Sequence, residues 1–427
     1  MGGLVILGLF FLFMFLGVRL ALALGLSAVI YLLIFMPQVS LETIPQKMFT
    51  SVDDFSLTAI PFFILAGEMM NSGGISRRLI DFAATLVGHI RSGLSMVATV
   101  SCMFFGGITG SAIADTAAVG SVLIPAMEKK GYKKPYAAAL MASAGSLGPI
   151  IPPSILMVVY GSIAGVSIGK LFLGGYIPGL LFGLALMATC YIIGRIHGHP
   201  KEEKAGWKQR WKAFLDSILP LITPVIIMGG IVGGVVTATE AGVIATIYAF
   251  IVGKFIYREL KWTDLPKIFV NSAVTTGMVV LVMATASVFG WILAYERIPQ
   301  ITADTLLAFS DNTFIVMALI MLIMLIVGIF LDGTAPLIIM TPVFLPVVNE
   351  LGIDLVYFGV LMAINIAIGT VTPPVGVTLF VSSSIARVSI GEVSRAAVPF
   401  IAVMIFVMLL LVIFPQIILF LPNLLMP

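Results

Sequence analysis

The sequence predicts an all-α integral membrane protein: a polytopic, inverted-repeat bundle with two re-entrant hairpins and two broken helices. Three observations predict it. Of 427 residues, 60% are hydrophobic and 10% charged, and the mean hydropathy is +1.16, whereas a soluble globule carries about 25% charged residues. A phrase of Gly, Pro and Tyr recurs 221 positions on: Gly107 and Gly328, Pro125 and Pro346, Gly131 and Gly352, Tyr136 and Tyr357, Gly148 and Gly369, Pro152 and Pro373, Pro153 and Pro374, Pro178 and Pro399. Finally, several of these glycines and prolines fall inside apolar runs, where they interrupt helices.

A span needs roughly 20 apolar residues. Single spans are expected at 3–17, 20–36, 55–71, 171–194, 214–235, 240–257, 270–294 and 398–421. The apolar start at 4–16 has no basic leader or small-residue cleavage site, so it is expected to be a retained span. The runs 94–127 and 313–348 are each broken by small and polar residues, at 106–111 and 328–334, and are expected to be hairpins that enter and leave on one side. The runs 135–160 and 356–385 are expected to be helices broken at 148–154 and 369–376. Segments 75–91 and 298–312 precede the hairpins and are less apolar. The first carries Arg77, Arg78, Asp81, His89 and Arg91, and the second Gln300, Asp304 and Asp311. Each suits an amphipathic interfacial arm, with an ordinary solvated connection as the alternative. Neither a low-complexity segment nor a soluble domain is visible.

Loop charge sets orientation. The loop from Arg195 to Lys212 carries Lys201, Lys204, Lys208 and Arg210, and is expected on the cytoplasmic side with the basic loop 254–267. Lys129, Lys130, Lys133 and Lys134 follow the first hairpin, which therefore opens to the cytoplasm. Glu350 and Asp354 follow the second, which therefore opens outward. The repeats are inverted, and counting spans places both termini outside.

The doubled breaks carry the chemistry. A Pro-Pro pair removes an N–H and stops the helix. The turn before it keeps free carbonyls, and the half-helix after it exposes N–H groups. Carbonyls suit a dehydrated Na⁺ and exposed N–H ends suit a carboxylate, so each break beside a hairpin tip makes half of a transport site. Polar residues at the tips are Thr109, Ser111, Asp115 and Thr116, and Asp332, Thr334 and Thr341. Asp115 is a candidate ion ligand or helix-capping group, and Asp332 a candidate ligand or N-cap. Candidate substrate contacts are Thr109, Asp115, Pro152, Ser154, Thr334 and Pro373. Glu68 and Glu296 are expected to pair with arginines at the surface, and Glu240 to sit in a helix first turn. Cys102 and Cys190 are expected as buried free thiols. There is no P-loop, so ATP does not drive transport directly. His89, His197 and His199 in or beside basic loops argue only weakly for metal. The net charge of +3 is too small to suggest nucleic acid.

At four stretches the chain resembles the large membrane subunit of tripartite ATP-independent periplasmic (TRAP) transporters, within the ion transporter superfamily. They are GGITGSAIADTAAVGSVLIPAM from Gly106 to Met127, GPIIPPS from Gly148 to Ser154, FLDGTAPLIIMTPVFLPV from Phe330 to Val347, and GTVTPPVG from Gly369 to Gly376. The resemblance covers essentially the whole chain. It implies a non-enzymatic, elevator-type symporter of the bacterial inner membrane, with no cofactor beyond Na⁺ as coupling ion. It implies scaffold and arm at 1–92, transport-domain half 1 at 93–194, cytoplasmic loop, scaffold and arm at 195–312, and transport-domain half 2 at 313–427. It places sodium at Gly107, Gly110, Ser111, Gly148 and Pro149 in one half, and at Gly328, Asp332, Thr334, Gly369 and Thr372 in the other. It implies a small four-helix membrane subunit, absent from this chain, and a soluble periplasmic protein delivering an organic acid. Sialic acid (N-acetylneuraminate) is favoured over a C4-dicarboxylate. Superfamily relatives that take dicarboxylates use Ser-Asn-Thr at each tip, where this chain has Thr109-Gly110-Ser111 and Asp332-Gly333-Thr334. A stand-alone dicarboxylate carrier and an uncoupled channel or scaffold are the alternatives.

Overall fold

The computed structural model describes residues 2–310, 312–331 and 333–426, and the regular elements among them are all helical. Helices α1 (Gly2–Phe15) and α2 (Leu20–Phe35) form an apolar pair. The following stretch, expected to be loop, contains α3 (Thr43–Val52), which a short 3-10 turn joins to α4 (Ala59–Ser72) at a 64° bend. Asp54 caps that turn by accepting from Ser56 N at 2.8 Å. The first arm is α5 (Ile75–Val87): it buries Ile75, Leu79, Ile80, Phe82 and Ala83 and exposes Arg77 and Asp81, the pattern of an amphipathic helix.

Hairpin 1 is α6 (Gly93–Thr109) and α7 (Ala112–Lys129). The first broken helix is α8 (Lys134–Gly145) and α9 (Ile155–Ala164), with residues 146–154 unwound between them. The long α10 (Ile168–Ile196) follows, then α11 (Trp207–Val232), α12 (Ala238–Ile251) and α13 (Leu265–Tyr295). Lys208, Arg210 and Lys212, expected in a loop, thus lie in the first turns of α11. The Glu240 expectation holds: Thr237 and Glu240 form a reciprocal capping box at α12. The second arm is α14 (Ile298–Phe309); Asp311 lies outside the described residues. Hairpin 2 is α15 (Thr313–Phe330) and α16 (Ala335–Glu350), and the second broken helix is α17 (Leu355–Gly369) and α18 (Val377–Ala386).

The chain closes with α19 (Ile390–Ile413) and α20 (Gln416–Leu425). These replace the single span expected over 398–421. Phe414 leaves the helical region and Pro415 brings no N–H to continue the ladder. By length and composition, α10, α11, α12 with its π-helical extension, α13, α15 and α19 each suffice to cross a membrane. Both cysteines are free and buried, as expected.

The two hairpins open in opposite directions. Helix α8 starts at the base of hairpin 1, and α9 continues away from that base. The far helix α9 packs on α16. Tyr160 near its end donates to Leu355 O at 2.9 Å, beside the base of hairpin 2. Reciprocally, α18 packs on α7 and α8, with Ile385 against Gly120. Each broken helix therefore ends beside the other half's hairpin, as inversion requires.

The halves are not copies in detail. Only 110–111 are unwound between the arms of hairpin 1, whereas in hairpin 2 the described residues 331, 333 and 334 lie outside the helices. Both tips are narrower than expected, because residues 106–109 and 328–330 stay helical. The arms of hairpin 1 pack along one another, whereas α16 packs mainly on α13, α14 and α9 and only lightly on α15.

The segment between α10 and α11 is tied down at the base of hairpin 1. His199 is half-buried between the rings of Tyr132 and Tyr136, at 4.4 and 4.9 Å between centroids, and its Nδ1 lies 3.0 Å from Ser92 Oγ. Gly93 N donates to Pro200 O, Glu202 N donates to Gly88 O, and Lys130 pairs with Glu202 at 3.1 Å. Burial lowers the His199 pKa, and the neighbouring His197 pushes the same way. The clasp therefore holds the neutral imidazole. Its contribution is complete above the ordinary value of about 6.5 and is lost as pH falls through the lowered folded value. Hydrogen exchange at the Glu202 amide, corrected for its intrinsic rate, should accelerate as pH drops below that range, and a His199→Phe variant should lose that dependence.

Candidate functional site

The tip of hairpin 1 lies directly on the first helix break, and glycine makes the approach possible. A Cβ on Gly106 would lie 3.1 Å from Gly148 Cα, one on Gly107 3.7 Å from Pro152 O, and one on Gly110 would clash with Pro153 O. Gly110 also adopts φ +61°, a left-handed turn that glycine takes without strain. Ser111 then starts α7, its Oγ accepting from Ala114 N at 3.4 Å. Ser154 starts α9 the same way, accepting from Met157 N and donating to Pro149 O at 2.6 Å. Ser154 is wholly buried, and its hydroxyl is engaged in the break itself. Pro152 is likewise buried within the break.

Asp115 completes this half. It sits in the first turn of α7, 0% exposed. Its Oδ1 accepts from Thr109 Oγ1, a short hydrogen bond, and its Oδ2 is buried without a hydrogen-bond partner. Oδ2 points at Gly148, where a Cβ would be only 2.5 Å away, and the Ser111 carbonyl oxygen borders the same spot at 3.1 Å. Among the described residues no hydrogen bond ends on the carbonyls of Gly148, Ile150, Ile151, Pro152 or Pro153. The Asp115 carboxyl oxygen and the Ser111 carbonyl around one glycine-lined spot form a hard-oxygen environment, the chemistry that suits a small hard cation. The sequence candidates Gly107, Thr109, Gly110, Ser111, Asp115, Gly148, Pro149, Pro152 and Ser154 are thus brought together, whereas Thr116 turns its hydroxyl back to Ala112 O at 2.7 Å.

The second half is looser. Gly328 and Gly369 meet closely, a Cβ on Gly369 falling 2.7 Å from Gly328 O. Thr372 turns its hydroxyl back to Ile368 O at 2.7 Å, and Thr378 N and Oγ1 both donate to Thr370 O. Thr334 is buried at the start of α16 without a side-chain cap bond, and Pro373 is half-buried in the break. Asp332 lies outside the described residues. Gly333 has open space around it among the described residues. Asp115 is not duplicated either: the position 221 residues on is Pro336.

Two cavities with polar residues in their walls lie beside these helices. One of about 340 Å³ runs from the tip of hairpin 1 along α4 and α13, lined by Thr109 and Ser111 together with Glu68, Asn71 and Thr275. The other, about 670 Å³, lies between α3, α13, α9 and α16, and includes Lys47, Asp54, Ser162 and Trp291. Asp54 accepts a short hydrogen bond from Ser162, linking the α3–α4 turn to α9. Of these cavity residues, Asn71, Thr275, Lys47, Asp54, Ser162 and Trp291 were missed by the sequence reading. The expectation that Glu68 and Glu296 pair with surface arginines is corrected: among the described residues Glu68 makes no ion pair and lines the first cavity, and Glu296 accepts from Tyr31 Oη at 2.7 Å. For Glu68 the signal was present, an acid inside an otherwise apolar span.

A helical membrane bundle with paired hairpins and paired broken helices defines a transporter of the inverted-repeat class. A family model described as the tripartite ATP-independent periplasmic transporter, DctM component, matches residues 7–417, and the chain belongs to that family. It is similar to the isethionate TRAP transporter permease protein DctMQ of Oleidesulfovibrio alaskensis, 41% identical over 414 residues, spanning 97% of this chain but only 65% of that protein's length. It is 39% identical to the C4-dicarboxylate TRAP transporter large permease protein DctM of Pseudomonas aeruginosa, over 94% of each chain. It is 37% identical to the sialic acid TRAP transporter permease protein SiaT of Haemophilus influenzae, over 97% of this chain and 67% of that one. Among solved structures, Neisseria gonorrhoeae MtrF superposes with a TM-score of 0.62 at 15% identity, over 87% of this chain and 83% of that chain, which establishes likeness of fold. The chain is a multi-pass transport permease, not an enzyme.

Adding a methyl at Gly110 should wreck the seal between tip and break, since strain in the left-handed region and overlap with Pro153 O act together. Gly110→Ala should cost about 3 kcal/mol or more. Gly333→Ala, with strain but no overlap, should cost about 1 kcal/mol. Unfolding temperatures of the two purified variants should rank in that order.

Proposed function

We propose that this chain is the permease subunit of a Na⁺-coupled TRAP transporter that imports an organic acid by an elevator mechanism. The observation that carries the proposal is the unpartnered Asp115 Oδ2, buried beside Gly148 of the first break. A carboxylate at that depth is costly unless a cation or proton compensates it. The cation site is made of Asp115 and the Ser111 carbonyl with Gly107, Gly110, Gly148 and Pro149 closing around them. A second and looser site uses Gly328, Thr334, Gly369 and Thr372, with Asp332. The substrate's acid group is received by the N-termini of α7 and α9, and Thr109 orients Asp115.

The moving unit comprises residues 93–194 and 313–427, and the remainder forms scaffold and arms. Reciprocal packing of α9 on hairpin 2 and of α18 on hairpin 1 supports the two halves travelling together. The lysines at the base of hairpin 1 support a cytoplasmic position for that base in the bacterial inner membrane, and with it periplasmic termini. A small membrane subunit and a periplasmic binding protein complete the assembly. The binding protein docks on the periplasmic side around the segments 37–54 and 298–312. Relatives named for sialic acid, C4-dicarboxylate and isethionate all support an organic anion as substrate.

Reconstitution in liposomes with the partner proteins, under an inward Na⁺ gradient, should give saturable uptake that stops when choline replaces Na⁺. Asp115→Asn should lower the apparent Na⁺ affinity at least tenfold while the protein still folds. Unchanged Na⁺ dependence in that variant would remove the cation site from Asp115.

A further inference from the structure

The cavity beside hairpin 1 shares a wall with the Asp115 site. From that wall we infer that the cavity is the path by which the coupling cation passes between Asp115 and the cytoplasmic side, and that Glu68 draws the cation along it. The inference deepens the transport reading above and rests on it, because it takes the cation to bind at Asp115.

Two residues belong to both spaces. Thr109 and Ser111 line the cavity. Thr109 Oγ1 also donates to Asp115 Oδ1, and the Ser111 carbonyl oxygen borders the spot at Gly148 that Asp115 Oδ2 faces. Asp115 is wholly buried and is not among the residues lining the cavity. Site and cavity are therefore separated by one residue's thickness at the tip of hairpin 1, and that partition carries hydroxyl and carbonyl oxygens. Such oxygens replace water around a hard cation as it enters or leaves. A volume of about 340 Å³ holds several waters, so the cation reaches the partition hydrated.

Glu68 stands beside the partition. Gly67 precedes it in α4, and a Cβ on Gly67 would lie 3.4 Å from Thr109 Cα, so α4 rests on the tip at this point. Among the described residues lining the cavity Glu68 alone is charged, while Asn71 and Thr275 add neutral oxygens. Among the described residues Glu68 forms no ion pair. A fixed negative charge between low-dielectric walls raises the local concentration of cations and the rate at which they arrive. Glu68 is thus a positioning residue that acts on the cation's passage, and Asp115 acts on its binding.

The path leads to one side. The cavity reaches Asn71 in the last turn of α4. Just beyond, a Cβ on Gly73 would lie 3.1 Å from Gly253 Cα, so this end of α4 abuts the start of the basic loop 254–267. The charge of that loop supports a cytoplasmic position.

The test uses Na⁺ as the probe on the purified full-length chain. The rise of unfolding temperature with Na⁺ gives the dissociation constant, and sodium NMR line broadening gives the exchange rate. Asp115→Asn should abolish both signals. Glu68→Gln should slow Na⁺ association about threefold or more at low ionic strength, with the difference fading as choline chloride screens it. Glu68→Asp should restore the rate. Asn71→Lys should slow association and Asn71→Asp should speed it, and these two variants decide the matter should Glu68→Gln fail to fold. A bulky maleimide attached to the Asn71→Cys variant should slow entry and release alike and leave the dissociation constant unchanged, the mark of an obstructed path. Both native cysteines are buried and leave that label to the new position. Unchanged exchange in the Glu68 and Asn71 variants, while Asp115→Asn abolishes binding, would overturn the path and leave the cation site standing. Loss of Na⁺ stabilisation in Glu68→Gln as complete as in Asp115→Asn would make Glu68 a ligand and overturn the path as well. Na⁺ binding that survives Asp115→Asn, or that is absent from the wild type, would overturn the cation site and the inference with it.

Discussion

The unwound backbone at 146–154 is buried deep in the protein, and the tip of hairpin 1 is what closes over it. Gly106, Gly107 and Gly110 let the tip come within van der Waals distance of a strand of carbonyls that have no hydrogen-bond donors. Irregular backbone at membrane depth persists only where protein or a polar cavity covers it. The same close approach brings Asp115 Oδ2 to Gly148, so the covering that makes the break tolerable also assembles a concentrated patch of negative oxygen. Fold and chemistry at this point have one cause. A bulkier tip would uncover the carbonyls and scatter the oxygens together.

That constraint applies unequally to the two halves. Hairpin 1 is a tight pair with a two-residue tip and an ionisable side chain behind it. Hairpin 2 has arms that pack only lightly on one another and a proline where hairpin 1 has Asp115. Much of the second break's hydrogen bonding is satisfied internally, through Thr372 and Thr378. An inverted repeat thus supplies matching geometry without matching electrostatics. The half with Asp115 forms the more demanding site.

Much of this was legible in the sequence, for identifiable reasons. Pro-Pro pairs and glycines repeating at one interval fixed where both helices break, because proline acts locally and needs no tertiary context. The capping box at Thr237 and Glu240 was readable in part for the same reason. The exact tips were not: Gly106 to Thr109 look like helix breakers, yet stay helical because the break packs against them. Helix α3 was hidden because its short, mixed sequence gives little signal alone, and packing on α13 supports it. Glu68 was misjudged because a carboxylate near a span's end suits a surface ion pair as well as a cavity wall.

By itself the sequence determined that the chain is a helical membrane protein, that it is built of two related halves, and where each half is interrupted. Those properties follow from hydropathy, interval and the chemistry of proline, all local or periodic. Only the tertiary structure decided which carbonyls stay unpaired, that Asp115 faces Gly148, and that Glu68, Asn71 and Thr275 of α4 and α13 share a cavity with the tip of hairpin 1. These depend on distances between segments far apart in the chain, and one sequence contains no measure of such distances.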